Sequence, residues 1–306
     1  MCTLRLSKYL WIVAAGLLIN AMPAFATGGY LTFASPAGTP ALLDELDFTF
    51  RMGNNPGPDA NVYFSHNFNF ISSRQEWPGL SGYIGLQSTA ILGAGTQTYA
   101  LVTVWPQVGQ VVNLQPGPAA TCNEQNASAE GHVATCVITS ANVLATAPMK
   151  NGDTFRIYIR NVDAPAPNPV LTSPFSTGPA HGPIMRPVAP LRGGVHMYQF
   201  GIQNLRSGAV TVLGTMSIIG ISGLSSAGVS HFLEYFGGNA GDCHAIPYTA
   251  YTEEGPVGWS AGKKYRYSVF PNPQAPTFGP CPSNVTFATD NLRGSVEFAI
   301  DTPYRP

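Results

Sequence analysis

Glu45-Leu46-Asp47-Phe48-Thr49-Phe50-Arg51, and after a turn Asn61-Val62-Tyr63-Phe64-Ser65-His66-Asn67-Phe68-Asn69-Phe70, are the runs that decide the fold. In the first, Leu46, Phe48 and Phe50 fall on one side of an extended chain, with Glu45, Asp47, Thr49 and Arg51 on the other. In the second, Val62, Phe64, Phe68 and Phe70 share a side opposite Asn61, Tyr63, Ser65, Asn67 and Asn69. Successive side chains of a strand point to opposite faces, so this alternation reads as two half-buried β-strands. Between them Gly53-Asn54-Asn55-Pro56-Gly57-Pro58-Asp59 is dense in chain-bending residues and predicts a hairpin or short loop. His66 falls on the apolar side, which predicts a hydrogen-bonded core histidine.

Working outward, strand character recurs at 83–87, 100–105, 155–160, 195–202, 209–219, 229–236, 265–270 and 295–300. No window carries a sustained period of 3.6. About ten strands with turn signals between them, and no alternating helices, predict an all-β antiparallel sandwich or barrel and exclude a βαβ arrangement. Residues 164–194 break the composition, with prolines at 165, 167, 169, 174, 179, 183, 187 and 190. A linker between two domains is one reading. The similar strand character on both sides favours a loop within a single domain spanning 27–306.

The first 26 residues read as a removable export signal: Arg5 and Lys8, an apolar run over 9–19, and Ala24-Phe25-Ala26 before Thr27. The apolar run falls short of the ~20 residues that cross a bilayer, so no membrane span is expected. Losing Arg5 and Lys8 takes the formal net charge from −1 to −3. That balance offers nothing to nucleic acid. Only 10% of the chain is charged, while 44% is hydrophobic and 11% aromatic, enough for a large core and contrary to disorder. The expected location is secreted or periplasmic.

In an oxidising compartment Cys122, Cys136, Cys243 and Cys281 read as a disulfide framework. Three connectivities exist. Pairing neighbours, Cys122 with Cys136 and Cys243 with Cys281, closes short loops, each adding on the order of 3 kcal/mol. The bridges would then enclose loops rich in polar residues: Glu124, Glu130 and His132 in one, Glu253, Glu254 and Trp259 in the other.

Several motifs look chemical and fail on context. Gly258-Trp259-Ser260-Ala261-Gly262 has the spacing of a hydrolase nucleophile elbow, but 263–270 alternates like a strand and no histidine follows Ser260. It reads as a Gly-rich turn with an exposed Trp259. Glu45-Leu46-Asp47-Phe48-Thr49 resembles the catalytic strand of laminarinase-type β-glucanases, with Thr49 where the acid/base belongs, so the carboxylate pair that retaining chemistry needs is incomplete. His231 and Glu234 lie three apart on a strand, hence on opposite faces, and cannot share an ion. No metal site and no cofactor is expected; structural calcium, bound by loop oxygens without fixed spacing, stays open.

Tyr83-Ile84-Gly85-Leu86-Gln87, Val102-Thr103-Val104-Trp105, Glu130-Gly131-His132 before Cys136, Gly152-Asp153-Thr154-Phe155-Arg156-Ile157, Leu213-Gly214-Thr215-Met216-Ser217-Ile218 and Phe232-Leu233-Glu234-Tyr235-Phe236-Gly237 before Cys243 follow in an order that resembles the exported bacterial family known as domain of unknown function 3472. The resemblance runs from about Leu42 to Ile300. It implies a jelly-roll, concanavalin or lectin-like sandwich, and no activity.

The leading expectation is a non-catalytic exported sandwich that binds glycan or cell-envelope polymer. Tyr83 and Trp105 would stack on sugar rings, and Gln87, Glu130 and Glu234 would bond hydroxyls. Two rivals stand beside it. One is a carbohydrate-active hydrolase or lyase using Glu130 and Glu234; the other is a structural or adhesive envelope protein that associates with itself.

Overall fold

The computed structural model describes residues 27–57, 60–73, 79–88, 99–107, 110–125, 133–138, 149–163, 195–237, 243–269, 277–278, 281, 285–290 and 295–300. The expected signal at 1–26, the proline-rich 164–194, Trp77, Glu130 and His132 lie outside them.

The described chain is all strand and turn, in two antiparallel sheets packed as a sandwich. Strands are numbered along the chain. The first sheet runs β17 (Ser268–Val269), β1 (Thr27–Ala34), β14 (Ser230–Tyr235), β4 (Val62–Ser72), β5 (Leu80–Ser88), β6 (Tyr99–Trp105), β9 (Val133–Ile138), β8 (Thr121–Gln125). β18 (Thr277–Phe278) joins β1, and β13 (Ile221–Ser225) bridges β4 to β2 (Leu42–Leu43). The second sheet runs β19 (Val285–Asp290), β20 (Ser295–Ile300), β15 (Thr249–Ser260), β3 (Glu45–Asn54), β10 (Thr154–Asn161), β11 (Val195–Asn204), β12 (Val210–Ile219), β7 (Val111–Pro116), with β16 (Lys263–Arg266) beside β15.

The apolar sides of β3 and β4 meet across the sandwich as their alternation predicts. Phe50 stacks on Phe64 with centroids 6.1 Å apart and planes 9° from parallel. Phe68 meets Phe200 at 5.7 Å and Phe70 meets Tyr198 at 4.7 Å. All of these rings are buried, and each such pair is worth about 1 kcal/mol beyond its burial.

The turn between β3 and β4 is not a hairpin. The two strands belong to different sheets, so the segment after Gly53 is a crossing loop. It is tied down where the Asn55 main-chain N–H donates to Asn151 Oδ1 at 2.7 Å. Gly57 (φ 97°) and Asn61 (φ 54°) take the left-handed conformation that lets the chain change direction.

One more expectation changes, and the Gly-rich turn is met. The expected strand at 265–270 is split at Tyr267, a buried ring whose hydroxyl donates to the Ser226 carbonyl at 2.8 Å while its N–H donates to Pro256 O at 2.8 Å. The Gly-rich stretch at 258–262 ends β15 and turns through Ala261 (φ 49°) and Gly262 (φ 73°) into β16, with Ser260 opposite Lys263. Two successive positive-φ residues make a tight hairpin of the primed kind, a strand-turn-strand geometry that no nucleophile elbow shares.

Both neighbour pairings of cysteine are present. Cys122 and Cys136 lie directly opposite on β8 and β9, and Cys243 bonds Cys281. Glu253, Glu254 and Trp259, expected on a loop inside the second bridge, are on β15 instead.

Candidate active site

The outer face of the first sheet carries one set of candidate groups. In register, Glu234 on β14 is opposite Tyr63 on β4, and Tyr63 is opposite Gln87 on β5. Glu234 and Gln87 therefore stand at one level, two strand spacings or about 10 Å apart at the backbone, within joint reach of a group lying over Tyr63. One step along, Phe232 faces Ser65, which faces Gly85. A Cβ on Gly85 would come within 1.9 Å of the Phe64 carbonyl oxygen, so the close approach of the two strands there requires glycine. Beside these small residues the rings of Tyr63, Tyr83 and Phe232 pack on one another. Tyr63 meets Tyr83 at 5.4 Å and 70°, Tyr63 meets Phe232 at 5.6 Å and 75°, and Tyr83 meets Phe232 at 6.2 Å and 84°. Trp105 leans on Tyr83 at 4.9 Å, and Tyr30 on Phe232 at 5.5 Å.

This apolar wall sets the electrostatics. Burial pushes the Glu234 carboxyl up to about 7. Burial, followed by the Glu234 charge, raises the Tyr30 phenol as well. A carboxyl poised near neutrality in an aromatic surround can take up and release a proton under ordinary conditions, the property a general acid-base group needs.

Four of the five expected binding residues, Tyr83, Gln87, Trp105 and Glu234, thus share one face; Glu130 lies outside the described residues. Tyr63 and Phe232 were not expected there. Their signal was visible, because each is a large ring on the polar phase of its strand.

The second sheet's outer face holds a different cluster. Glu45 and Asp47 of β3 stand opposite Arg160 and Tyr158 of β10. An Arg156 Nη donates to Glu45 Oε1 and also to Asp47 Oδ1 and Oδ2 at 2.8 and 2.9 Å. Arg160 Nε donates to Glu45 Oε2 at 2.6 Å, and Trp259 Nε1 to Asp47 Oδ2 at 3.1 Å. Both guanidinium carbons lie 5.7 Å from the Tyr158 ring centre. Burial, then the Asp47 charge, pushes Glu45 up to about 7 against the pull of the arginines. Every carboxylate oxygen here has a protein partner, so the glucanase-like strand is a structural ion network. Trp259, expected exposed, is half-buried by it.

His231 and Glu234 point to opposite faces, as their spacing requires: His231 lies between the sheets with the His66 ring, and Glu234 is on the outer face.

No family model matches the chain, and no curated protein matches it. Among solved structures it is similar to scytalido-glutamic peptidase bound to a peptide-based transition-state analogue. The two are 12% identical with a TM-score of 0.36, covering 90% of this chain and 98% of that one. It is also similar to SCP-B, an eqolisin-family peptidase in complex with the tripeptide Ala-Ile-His, at 11% identity and a TM-score of 0.33, again covering 90% and 98%. Likeness at that level assigns no residue a role.

The expectation of a non-catalytic glycan binder is corrected. Of the two rings meant to stack on sugar, Tyr83 exposes only 5% of its surface and packs edge-on against Tyr63 and Phe232, and half-buried Trp105 leans on it. Sugar stacking needs an open flat ring face, and these rings spend their faces on one another.

Proposed function

We propose that this chain is a hydrolase of peptide bonds, with Glu234 as its general acid-base group and Gln87 as the amide that steadies the developing oxyanion. One observation supports the reading above all: a carboxyl lifted to about 7 stands level with a carboxamide across a single strand, on a face walled by aromatic rings. Glycoside cleavage calls for two carboxyls working as a pair, whereas attack on an amide carbonyl can proceed with one carboxyl and one hydrogen-bond donor.

The Glu234 carboxylate takes a proton from a water molecule as that water adds to the carbonyl carbon. The Gln87 side-chain N–H donates to the oxygen that gains charge. The protonated Glu234 then returns its proton to the amine as the carbon–nitrogen bond breaks. Tyr63, Tyr83 and Phe232 lower the local dielectric, which strengthens both interactions. The two disulfides support a working place in the periplasm or the medium, where such bonds persist.

The test is cleavage of a quenched fluorescent peptide library by the mature chain. Glu234→Gln is expected to lower kcat by at least about 100-fold, and Gln87→Ala by about 100-fold. A wild-type chain that cleaves nothing, or variants that cleave as fast as wild type, overturns the proposal.

A further inference from the structure

The interior of the sandwich holds a second constellation that the outer face does not use. His66 on β4 and His231 on β14 are directly opposite, with ring centres 4.5 Å apart, and both point inward. Glu253 reaches them from β15 of the other sheet, where it stands opposite Phe50. All three side chains are fully buried. Phe48 and Phe50 pack on the His66 ring at 4.6 and 5.6 Å, so apolar carbon surrounds a carboxylate and two imidazoles.

We propose that His66, His231 and Glu253 form a structural site for one zinc ion, which ties the two sheets together from inside. His66 Nε2 is 3.1 Å from Glu253 Oε2, and His231 Nδ1 is 3.8 Å from the same oxygen. The three donor atoms all fall within 4.8 Å of one another. Zinc binds nitrogen and carboxylate oxygen at about 2.0–2.2 Å in a tetrahedron, whose edges are then roughly 3.3–3.6 Å. The two spacings to Glu253 Oε2 bracket that value, so an ion fits once the two imidazoles settle around it.

Two further observations favour an ion. Glu253 Oε1 is buried and has no hydrogen-bond partner among the described residues. A buried carboxylate with one oxygen unmet is costly, and coordination by a cation would offset that cost. The other ring nitrogen of His231, Nε2, bonds the Tyr251 hydroxyl. With Nε2–H donating to that oxygen, the Nδ1 lone pair faces Glu253, the arrangement in which an outer partner orients a metal-binding histidine. Two nitrogens with one oxygen favour zinc over calcium or magnesium, which seek all-oxygen shells. Because the site is closed, the ion enters as the sheets come together.

The experiment unfolds the mature chain in denaturant with a chelator, refolds it with zinc or with chelator alone, and removes unbound metal by gel filtration. Refolding with zinc is expected to leave about one zinc per chain by mass spectrometry, released only on unfolding, and to raise the thermal midpoint over chelator-refolded protein. His66→Phe and His231→Phe, which keep the core filled, should each hold under about a tenth of an equivalent. Wild type that holds no zinc, or melts identically either way, overturns the site and leaves a hydrogen-bonded His66–Glu253 pair. That readout is independent of peptide cleavage at Glu234.

Discussion

Arg160 donates from Nε to Glu45 Oε2 over 2.6 Å, and the carboxylate it holds is completely buried. The same carboxylate accepts from Arg156, which also binds Asp47. Removing Arg160 leaves one guanidinium, Arg156, against two buried carboxylates. Arg160→Met is therefore expected to destabilise the fold by about 3 kcal/mol, whereas Glu45→Gln with Arg160→Met together should cost less than the two single changes summed. Urea unfolding of the four proteins in a double-mutant cycle checks this.

The raised carboxyls make stability depend on pH with a definite sign. A Glu234 lifted to about 7 binds its proton more tightly folded than unfolded. Its contribution is fully present below the ordinary glutamate range and is lost as pH rises through about 7, by about 3 kcal/mol. Glu45 acts in the same direction. Urea midpoints should fall between pH 4.5 and 7.5, and Glu234→Gln should flatten part of that slope. An unchanged slope in the variant would count against the burial of this carboxyl.

Activity should run the other way. Peptide cleavage begins with the ionised form of Glu234, so kcat/KM should climb with pH through about 7. A profile flat from pH 5 to 8 would remove Glu234 from the chemistry.

The Cys122–Cys136 bridge closes a sequence separation of 14 residues at the edge of the first sheet. Replacing both cysteines by alanine should lower stability by about 3 kcal/mol and leave peptide cleavage within about twofold, since the bridge is remote from Glu234 in the strand order. Chemical denaturation and a cleavage assay on one preparation test both halves.

Gly85→Ala should be among the most damaging single-methyl changes. The added carbon meets a main-chain oxygen that cannot move without breaking the pairing of β4 with β5. A loss of at least about 3 kcal/mol is expected by thermal melting.

Much of this architecture was legible. The alternation of Leu46, Phe48 and Phe50 against Val62, Phe64 and Phe68 marks which sides are buried, because apolar burial follows the two-residue period of a strand. The neighbour pairing of cysteines is present as favoured. What the period does not reveal is which strands share a sheet, so the segment between β3 and β4 reads equally as a hairpin or a short loop, although the strands face each other across the core. β1 and β15 escaped notice because Gly28-Gly29 and Gly255-Pro256 look like turns; β15 accommodates its proline at a register shift between Glu254 and Val257.

The candidate sites were less legible, for a related reason. Tyr63 and Phe232 on a polar phase signalled an aromatic outer face, but only the register places Gln87 and Glu234 at one level. His66 alone reads as a core histidine. Its meeting with His231 and Glu253 joins residues from strands far apart in sequence, and no local spacing encodes that.

The same long-range pairing governs how the chain reaches its folded state. Asp47 pairs with Tyr158 on one side and Val257 on the other, so β3 cannot be enclosed until most of the polypeptide exists. Nucleation must close large loops before any reward arrives, which predicts slow folding and a long-lived, loosely collapsed precursor.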